Sequence, residues 1–151
     1  MNIEHCLNNY PDPCPPIKRK KTFYEPELFL HIDKRAAMIP QQYSYSYEIL
    51  LDSLLTGFTT DLEKVRSIFI WMGSQRIKYL DDVMSDINTP IGYMLYMKNG
   101  NGTYAEFFAQ LCRFINIPCV IVRGIAKGAR YEVGDEDLYD CKSVWNCVFI
   151  D

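Results

Sequence analysis

The chain has 151 residues, of which 48% are hydrophobic and 23% charged, and these proportions are typical of one packed domain rather than a disordered chain. A chain of this length buries roughly two thirds of its unfolded surface, so it needs neither a metal nor a disulfide to form a core. The net charge of −3 argues against a general binder of nucleic acids or anionic membranes, because both need a basic face.

The first 28 residues are predicted to form a flexible tail, followed by one domain over residues 29–151. Pro11, Pro13, Pro15 and Pro16 fix extended backbone in the tail, and the basic run of residues 18–21 repels itself. We interpret this run as a solvated leader in preference to a nuclear-import or polyanion-binding patch. No apolar stretch has the form of a secretory signal or the length of a membrane span, so the protein is predicted to be cytoplasmic.

The cysteines and histidines limit the chemistry that the chain can perform. None of the six cysteines forms a C-x-x-C pair, the spacing usual in zinc sites, so we predict reduced thiols and no metal. The two histidines, His5 and His31, both lie in the first quarter of the chain. The glycine-rich stretches do not follow a strand and open a helix, so no nucleotide cofactor is predicted. The cysteines are Cys6, Cys14, Cys112, Cys119, Cys141 and Cys147.

Two helices are predicted in the first half of the domain. Four leucines between residues 45 and 55 recur at helical spacing, and Gly57 ends that helix. Thr60 and Glu63 have the spacing of a capping box, in which each side chain binds a backbone N–H at the helix start. The second helix should run to residue 76. Its buried stripe is predicted to contain Leu62, Val65, Phe69 and Met72.

The second half is predicted to hold a short helix at residues 91–97, a central helix at residues 105–115 and two strands. Thr103 and Glu106 form a second predicted capping box at the start of the central helix. The β-branched run of residues 119–122 predicts a buried strand, and residues 141–150 alternate as a second strand should. Helices followed by strands indicate an α+β fold with an antiparallel sheet.

Four stretches of the sequence carry a family likeness: residues 61–71, 102–119, 124–128 and 144–148. Together they resemble a transglutaminase-like domain, and more narrowly the kyphoscoliosis-peptidase branch of that superfamily. In order, they are similar to the opening helix, the central helix with the strand behind it, the glycine and lysine loop, and the strand that normally carries a histidine. The resemblance covers about residues 30–151. It implies a papain-like core, with helices on a small antiparallel sheet and the last strands missing at the C-terminus.

Active members of this family resemble papain in mechanism, with a cysteine at the start of the central helix and a histidine and an aspartate on later strands. The resemblance places Asn101 at the position of the cysteine and Ser143 at that of the histidine, while the aspartate would follow Asp151. A delocalised amide nitrogen cannot replace a thiolate, and a serine hydroxyl is not a base near neutral pH. The resemblance therefore implies a domain that keeps the scaffold without catalytic residues or a cofactor.

Other residues could restore catalysis only by taking over a lost role. Thr103 lies close to the predicted site, but we interpret it as the N-cap of the central helix. Cys141, two residues before the predicted base position, is the best surrogate thiol, yet it has no histidine near it in the sequence. Cys112 and Cys119 are predicted core residues, and His31 could act as a base only by folding across the cleft. The alternative function is a cysteine peptidase or a protein-glutamine cross-linking enzyme that uses Cys141.

The preferred prediction is a protein-binding or scaffolding module. The resemblance implies association with the cytoskeleton, since relatives of this branch attach to actin-linked scaffolds, and nothing in the composition identifies the partner. Trp145 is predicted to be a core residue that roofs the former cleft. The strand over residues 141–150 is predicted to leave an open edge, which would be prone to pair with another chain.

Overall fold

In the residues that it describes, a computed structural model shows five α-helices and a two-stranded antiparallel sheet. The described residues are 25–82, 85–128, 131–134 and 137–150. The predicted α+β class is therefore confirmed. The helices are α1 (Pro26–Ala37), α2 (Tyr47–Leu55), α3 (Asp61–Ser74), α4 (Pro90–Lys98) and α5 (Tyr104–Phe114), and the strands are β1 (Cys119–Ile125) and β2 (Lys142–Val148). Short 3-10 helices cover Gln41–Tyr45, Ile77–Tyr79 and Tyr139–Cys141.

The first helix begins within the range that the sequence predicted to be a tail. Residues 1–24 lie outside the described residues, so the flexibility of the tail stays a prediction. Pro26 opens α1, where a proline is favourable because the first N–H groups of a helix have no intrahelical partner. The helix then packs against α3, and the Asp33 carboxylate accepts two hydrogen bonds from the Arg66 guanidinium, both at 2.7 Å. This bidentate pair joins α1 to α3.

The core lies between α2, α3, α4 and α5, and it confirms only part of the buried stripe predicted for α3: Met72 is buried and Val65 packs against the core. Leu62 and Phe69 are 41% and 64% exposed, whereas Ile68 and Trp71 are fully buried. Both sets of residues recur at the spacing of a helical face, and the packing of α3 against α1, α2 and α5 together selects the second set. The Trp71 ring meets the Phe107 ring of α5 edge-on, with centroids 6.1 Å apart.

The sheet is a ribbon of two strands, called here the β-ribbon, and α5 covers one of its faces. The register pairs Cys119 with Val148 and Ile125 with Lys142. Residues 119–122 are half-buried instead of fully buried, because only one face of so small a sheet is covered. β1 also extends beyond the predicted strand, to Ile125, and β2 begins at Lys142.

Candidate functional site

The start of α5 is where the family resemblance places the lost nucleophile. Asn101 is exposed, and its hydrogen bonds go to its own loop and to the last turn of α4. Its backbone N–H donates to the Tyr96 carbonyl at 3.1 Å, and its Nδ2 donates to the Asn99 carbonyl at 3.3 Å. Thr103 is the N-cap of α5, as predicted, because its Oγ1 accepts a hydrogen bond from the Glu106 N–H at 3.1 Å. Asn101 therefore lies in the loop, two residues before the N-cap.

Two tyrosines of α4 fill the space beside this loop. The Tyr93 ring stacks on Phe107 with centroids 4.9 Å apart and lies 5.8 Å from the Tyr96 ring. Gly102 has a φ of 66°, and a Cβ there would lie 3.0 Å from Tyr93 Oη and 3.1 Å from Tyr96 Cε1. Glycine satisfies both demands, since it accepts positive φ and has no side chain.

The environment of Tyr93 keeps its phenol protonated. Burial raises the pKa of Tyr93 above its usual value, and the charges of Glu106 and Tyr96 act in the same direction. A hydrogen bond from the Thr103 backbone amide opposes them. Because a phenol with a raised pKa is a poor general base near neutral pH, the amide and phenol groups at the start of α5 do not replace a thiolate and an imidazole.

Only one of the two hydrogen bonds predicted for the capping box of Thr103 and Glu106 forms. Thr103 caps α5, but Glu106 does not return its carboxylate to the helix start. Its Oε1 accepts a hydrogen bond from Arg123 Nη2 of β1 at 3.1 Å instead. By contrast, the box of Thr60 and Glu63 is complete, and that prediction is confirmed. The charged partner on β1 draws Glu106 away from the cap.

Ser143, the predicted base position, lies on the face of the β-ribbon turned away from α5. Side chains alternate along a strand, and Asn146 faces α5, since its Nδ2 donates to the Ala105 carbonyl at 2.9 Å. Ser143 and Trp145 therefore share the opposite face, where Trp145 covers Gly124 and is 42% exposed. The prediction that Trp145 is a core residue is wrong, because no helix in the described part of the chain covers that face. No described hydrogen bond joins Ser143 to Asn101.

The two other predicted surrogates are separated in the fold. Cys141 is buried at the end of a 3-10 helix, just before β2, and its carbonyl accepts a hydrogen bond from the Ala126 N–H at 2.8 Å. His31 is exposed on α1 and meets the Phe58 ring edge-on at 6.2 Å. His5 lies outside the described residues. The described contacts of His31 do not include a thiol, so the structure brings no thiol and imidazole together among the residues that it describes.

A thiol cluster that the sequence analysis did not predict lies at the other end of α5. The Cys119 sulfur accepts a hydrogen bond from Asn146 Nδ2 at 3.4 Å, and Cys119 packs against the core cluster that contains the buried Cys112. The neighbouring Cys112 thiol is the main cause that lowers the pKa of Cys119; burial opposes it, while Asn146 and the Arg113 charge assist it. The signal was present in the sequence, because a short turn between a helix and a strand returns the chain beside the helix end.

An apolar groove of about 510 Å³ runs between α3, α5 and β2. Phe69 and Tyr104 border it, Phe108 and Val144 lie deeper, and Trp145 adjoins it on β2 with its ring on the other face of the strand. Phe69, Tyr104 and Trp145 are each more than a third exposed. Exposed aromatic side chains around an apolar groove are typical of a surface that binds a protein. Beside this groove, β2 pairs with β1 alone among the described strands, so the other edge of β2 is open.

The described part of the chain contains neither a candidate metal site nor a candidate membrane span. No three side chains of histidine, cysteine, aspartate or glutamate lie together there in a way that could hold a metal ion. None of the helices there reaches the length and hydrophobicity that a membrane span requires.

Comparison with known proteins finds relatives that match nearly the whole chain. It is 31% identical over 98% of its length to hillarin of Drosophila melanogaster. It is 29% identical over 93% of its length to the Lim and transglutaminase domain protein ltd-1 of Caenorhabditis elegans, and 27% identical over 82% to the kyphoscoliosis peptidase of Mus musculus. No family model matches the chain, and no solved structure gives a significant match.

These relatives place the chain in a class of fold. It is homologous to the transglutaminase-like regions of hillarin, ltd-1 and kyphoscoliosis peptidase, which agrees with the α+β architecture described above. The chain spans 18%, 20% and 19% of the lengths of these three proteins, about a fifth of each. The homology therefore concerns one region of much longer proteins.

Proposed function

We propose that this chain is a non-catalytic transglutaminase-like domain that binds another protein. The observation that carries the proposal is the pair of residues at the family's catalytic positions, Asn101 and Ser143. An amide and a hydroxyl supply neither the thiolate nor the imidazole that papain-like chemistry needs. The imidazole of His31 contacts Phe58, and Cys141 is buried before β2. The buried position of Cys141 argues against the alternative of an enzyme that uses it as a displaced thiol.

The proposed partner is an actin-linked scaffold in the cytoplasm. The support is the resemblance to the kyphoscoliosis-peptidase branch, whose members attach to such scaffolds, together with the similarity to hillarin and ltd-1 along nearly the whole chain. The mouse relative is named a peptidase and the nematode relative a transglutaminase domain protein. Because this chain lacks the catalytic residue types at the matching positions, we carry over the binding role and not the activity.

The surface proposed to receive the partner is the groove between α3, α5 and β2, together with the open edge of β2. An extended segment could pair its backbone with β2, since strand addition satisfies the unpaired N–H and C=O groups of an edge. On the α5 side of β2 its apolar side chains would contact Phe69 and Val144, which line the groove, and side chains that point the other way would lie beside Trp145. We therefore propose a partner segment that is extended and apolar on alternate residues.

The absence of catalysis is tested by returning a thiol to the family position. Asn101→Cys is expected to show no peptidase activity and no transamidation, because the residue at position 143 remains a hydroxyl. Release of peptides from casein and incorporation of a fluorescent primary amine into casein measure the two activities. Asn99→Cys is the matched control, since it adds a thiol to the same loop. Activity in Asn101→Cys above that of Asn99→Cys would show that another base is present and would refute the non-catalytic assignment.

The binding role is tested with two groove variants and one control. Phe69→Ala and Trp145→Ala should each weaken co-sedimentation with actin filaments that carry actin-crosslinking proteins by about tenfold, since exposed aromatic residues often dominate such interfaces. Ile49→Ala, an exposed position on α2 that does not border this groove, should leave co-sedimentation unchanged. Equal binding by all three variants would place the interface elsewhere. No binding by the unmodified chain would refute the proposed partner class.

A further inference from the structure

A second groove, called here the α2 groove, lies between α2 and the C-terminal end of α5, and its volume is about 690 Å³. The Phe114 ring of α5 stacks on the Tyr47 ring of α2 at its floor, with centroids 4.4 Å apart. Phe114 is nevertheless 52% exposed. An exposed phenylalanine at the floor of a groove is apolar surface that another molecule can cover.

Two parallel rows of side chains run along α2 at this groove. Tyr47, Leu51 and Leu55 follow each other at intervals of four residues and are buried or half-buried. Glu48 and Asp52 form a second row beside them, and both are exposed. Residues four apart share one face of a helix and are about 6 Å apart along its axis. The α2 groove therefore has an apolar floor and an acidic rim.

The acidic rim is not neutralised by the residues that the structure describes. Within that part of the chain, neither Glu48 nor Asp52 takes part in an ion pair. Arg113 precedes Phe114 on α5 but does not line the groove. The C-terminal ends of α2 and α5 do line it, and the carbonyl end of a helix carries partial negative charge. A ligand of this groove should therefore have positive charge next to apolar surface.

We propose that the α2 groove binds an amphipathic helix of another protein, with one apolar row and one basic row. Grooves of this kind accept helices whose apolar anchors recur every three or four residues. The apolar row covers Leu51 and Phe114, and lysine or arginine residues four positions apart match the spacing of Glu48 and Asp52. The groove beside β2 lies at the opposite end of α5, so the two binding surfaces can be tested independently.

The basic run of this chain itself matches the rim less well. Its four charges are consecutive, at residues 18–21, and consecutive residues point to different sides of a helix. The run also contains no apolar residue that could cover Phe114. The charge pattern of the α2 groove therefore favours a partner helix over this run.

The main experiment measures the fluorescence anisotropy of labelled peptides during titration with the full chain. The basic probe is a synthetic amphipathic helix with a leucine row and a lysine row at four-residue spacing, and the acidic probe has glutamate in place of lysine. The unmodified chain should bind the basic probe at least about tenfold more tightly than the acidic probe. Glu48→Lys combined with Asp52→Lys should reverse this preference. Phe114→Ala should weaken the binding of the basic probe several-fold, with an unchanged far-ultraviolet circular dichroism spectrum.

The matched control is Asp81→Lys combined with Asp140→Lys. It changes the net charge by the same amount at exposed positions that do not line the α2 groove, so the affinity for the basic probe should stay within about twofold of the original. Equal losses in this control and in the groove variant would reveal a general attraction to an acidic protein and would overturn the proposal. Failure of the unmodified chain to bind the basic probe would overturn it as well.

A last variant tests the basic run directly, by replacing all four of its residues with serine. The affinity of this variant for the basic probe should equal that of the unmodified chain. An increase of about tenfold would mean that the run occupies the α2 groove in place of a partner, which would contradict the assignment. The four substitutions are Lys18→Ser, Arg19→Ser, Lys20→Ser and Lys21→Ser.

Discussion

The helical part of the molecule and the β-ribbon each contain one of the two tryptophans of the chain. The two indole rings differ in their burial. Trp71 of α3 is fully buried against Phe107, whereas Trp145 of β2 is 42% exposed and lies over Gly124. The helices surround one continuous core. The β-ribbon packs one face on α5 and leaves the other face and the β2 edge uncovered within the described residues.

This difference in burial indicates that the helical part provides most of the stability, whereas the β-ribbon and the groove provide the surface for recognition. Burial of apolar surface is the main source of folding free energy, and most of the buried side chains lie on the helices. The exposed aromatic residues of the groove, by contrast, contribute little to folding and offer contacts to a partner. We therefore expect substitutions in the helical part to unfold the protein, and substitutions in the β-ribbon to change what it binds.

The strongest test substitutes the two tryptophans. Trp71→Ala should lower the free energy of unfolding by about 3–5 kcal/mol, because it replaces a buried indole with a cavity. Trp145→Ala should cost less than about 1 kcal/mol, since its ring is exposed and loses fewer contacts. Urea unfolding followed by far-ultraviolet circular dichroism measures both without relying on indole fluorescence. Similar losses for the two variants would mean that the β-ribbon is packed as tightly as the core.

A second pair of substitutions compares two glycines. A Cβ at Gly92 of α4 would overlap the backbone carbonyl of Asp86, which cannot move independently, so Gly92→Ala should cost about 1–3 kcal/mol. A Cβ at Gly124 of β1 would lie 2.8 Å from the tip of the Trp145 ring. That ring can turn toward solvent, so Gly124→Ala should cost less than about 1 kcal/mol. Thermal unfolding of both variants measures the difference, and a greater loss for Gly124→Ala would contradict it.

The third test concerns the ion pair between α1 and α3. Asp33→Asn should lower the free energy of unfolding by about 1–3 kcal/mol near neutral pH, since the carboxylate accepts two short hydrogen bonds from Arg66. The hydrogen bond from Arg66 lowers the pKa of Asp33 in the folded state. The stabilisation is therefore fully present above the unfolded pKa of about 4 and is lost as the pH falls through the lower folded value.

Urea unfolding at about pH 7 and about pH 3 checks the sign of this dependence. The difference between Asp33→Asn and the unmodified chain should shrink at the lower pH, because the carboxyl group begins to be protonated. Asp82→Asn is the matched control: the Asp82 carboxylate pairs with Lys98 at 2.8 Å but is 75% exposed, so its removal should change stability little. A difference for Asp33→Asn that stays constant with pH would exclude a carboxylate role.

Local signals explain how much of the fold could be predicted from the sequence. The helices followed from apolar spacing and from caps such as Thr60, which act within one turn of the chain. The whole buried face of α3 did not follow, because Phe69 and Ile68 both fit a helical stripe and only the arrangement of the neighbouring helices decides between them. The exposure of Trp145 was missed for a related reason, since a strand sequence does not state how many faces of its sheet are covered.

The candidate site divides in the same way. The family resemblance supplied the positions Asn101 and Ser143, and the capping role of Thr103 followed from its spacing to the helix. The contact of Asn146 with Cys119 was not predicted, because the two residues are 27 positions apart and meet only through the pairing of β1 with β2. Contacts between residues so far apart in the sequence depend on the register of the strands, which the sequence alone does not determine.

The smallest expected effect compares two glutamates that occupy the same position in two helices. Glu63 of α3 accepts hydrogen bonds from the Thr60 and Thr59 backbone N–H groups at 3.0 and 3.2 Å, so it belongs to the cap. Glu106 of α5 binds Arg123 of the β-ribbon, whose side chain is 65% exposed. Glu63→Ala should therefore destabilise the protein more than Glu106→Ala, which should cost only a few tenths of a kcal/mol, about the value of an exposed ion pair.

The threonines that precede these glutamates provide the control for this comparison. Thr60→Ala and Thr103→Ala each remove a hydroxyl that accepts an N–H at the helix start, and each should cost about 1 kcal/mol. The two helices would then differ at the glutamate and agree at the threonine, as measured by urea unfolding at one pH and one salt concentration. If Glu106→Ala were as harmful as Glu63→Ala, the contact with Arg123 would be a main attachment of the β-ribbon to α5, and the separation of stability from recognition would fail there.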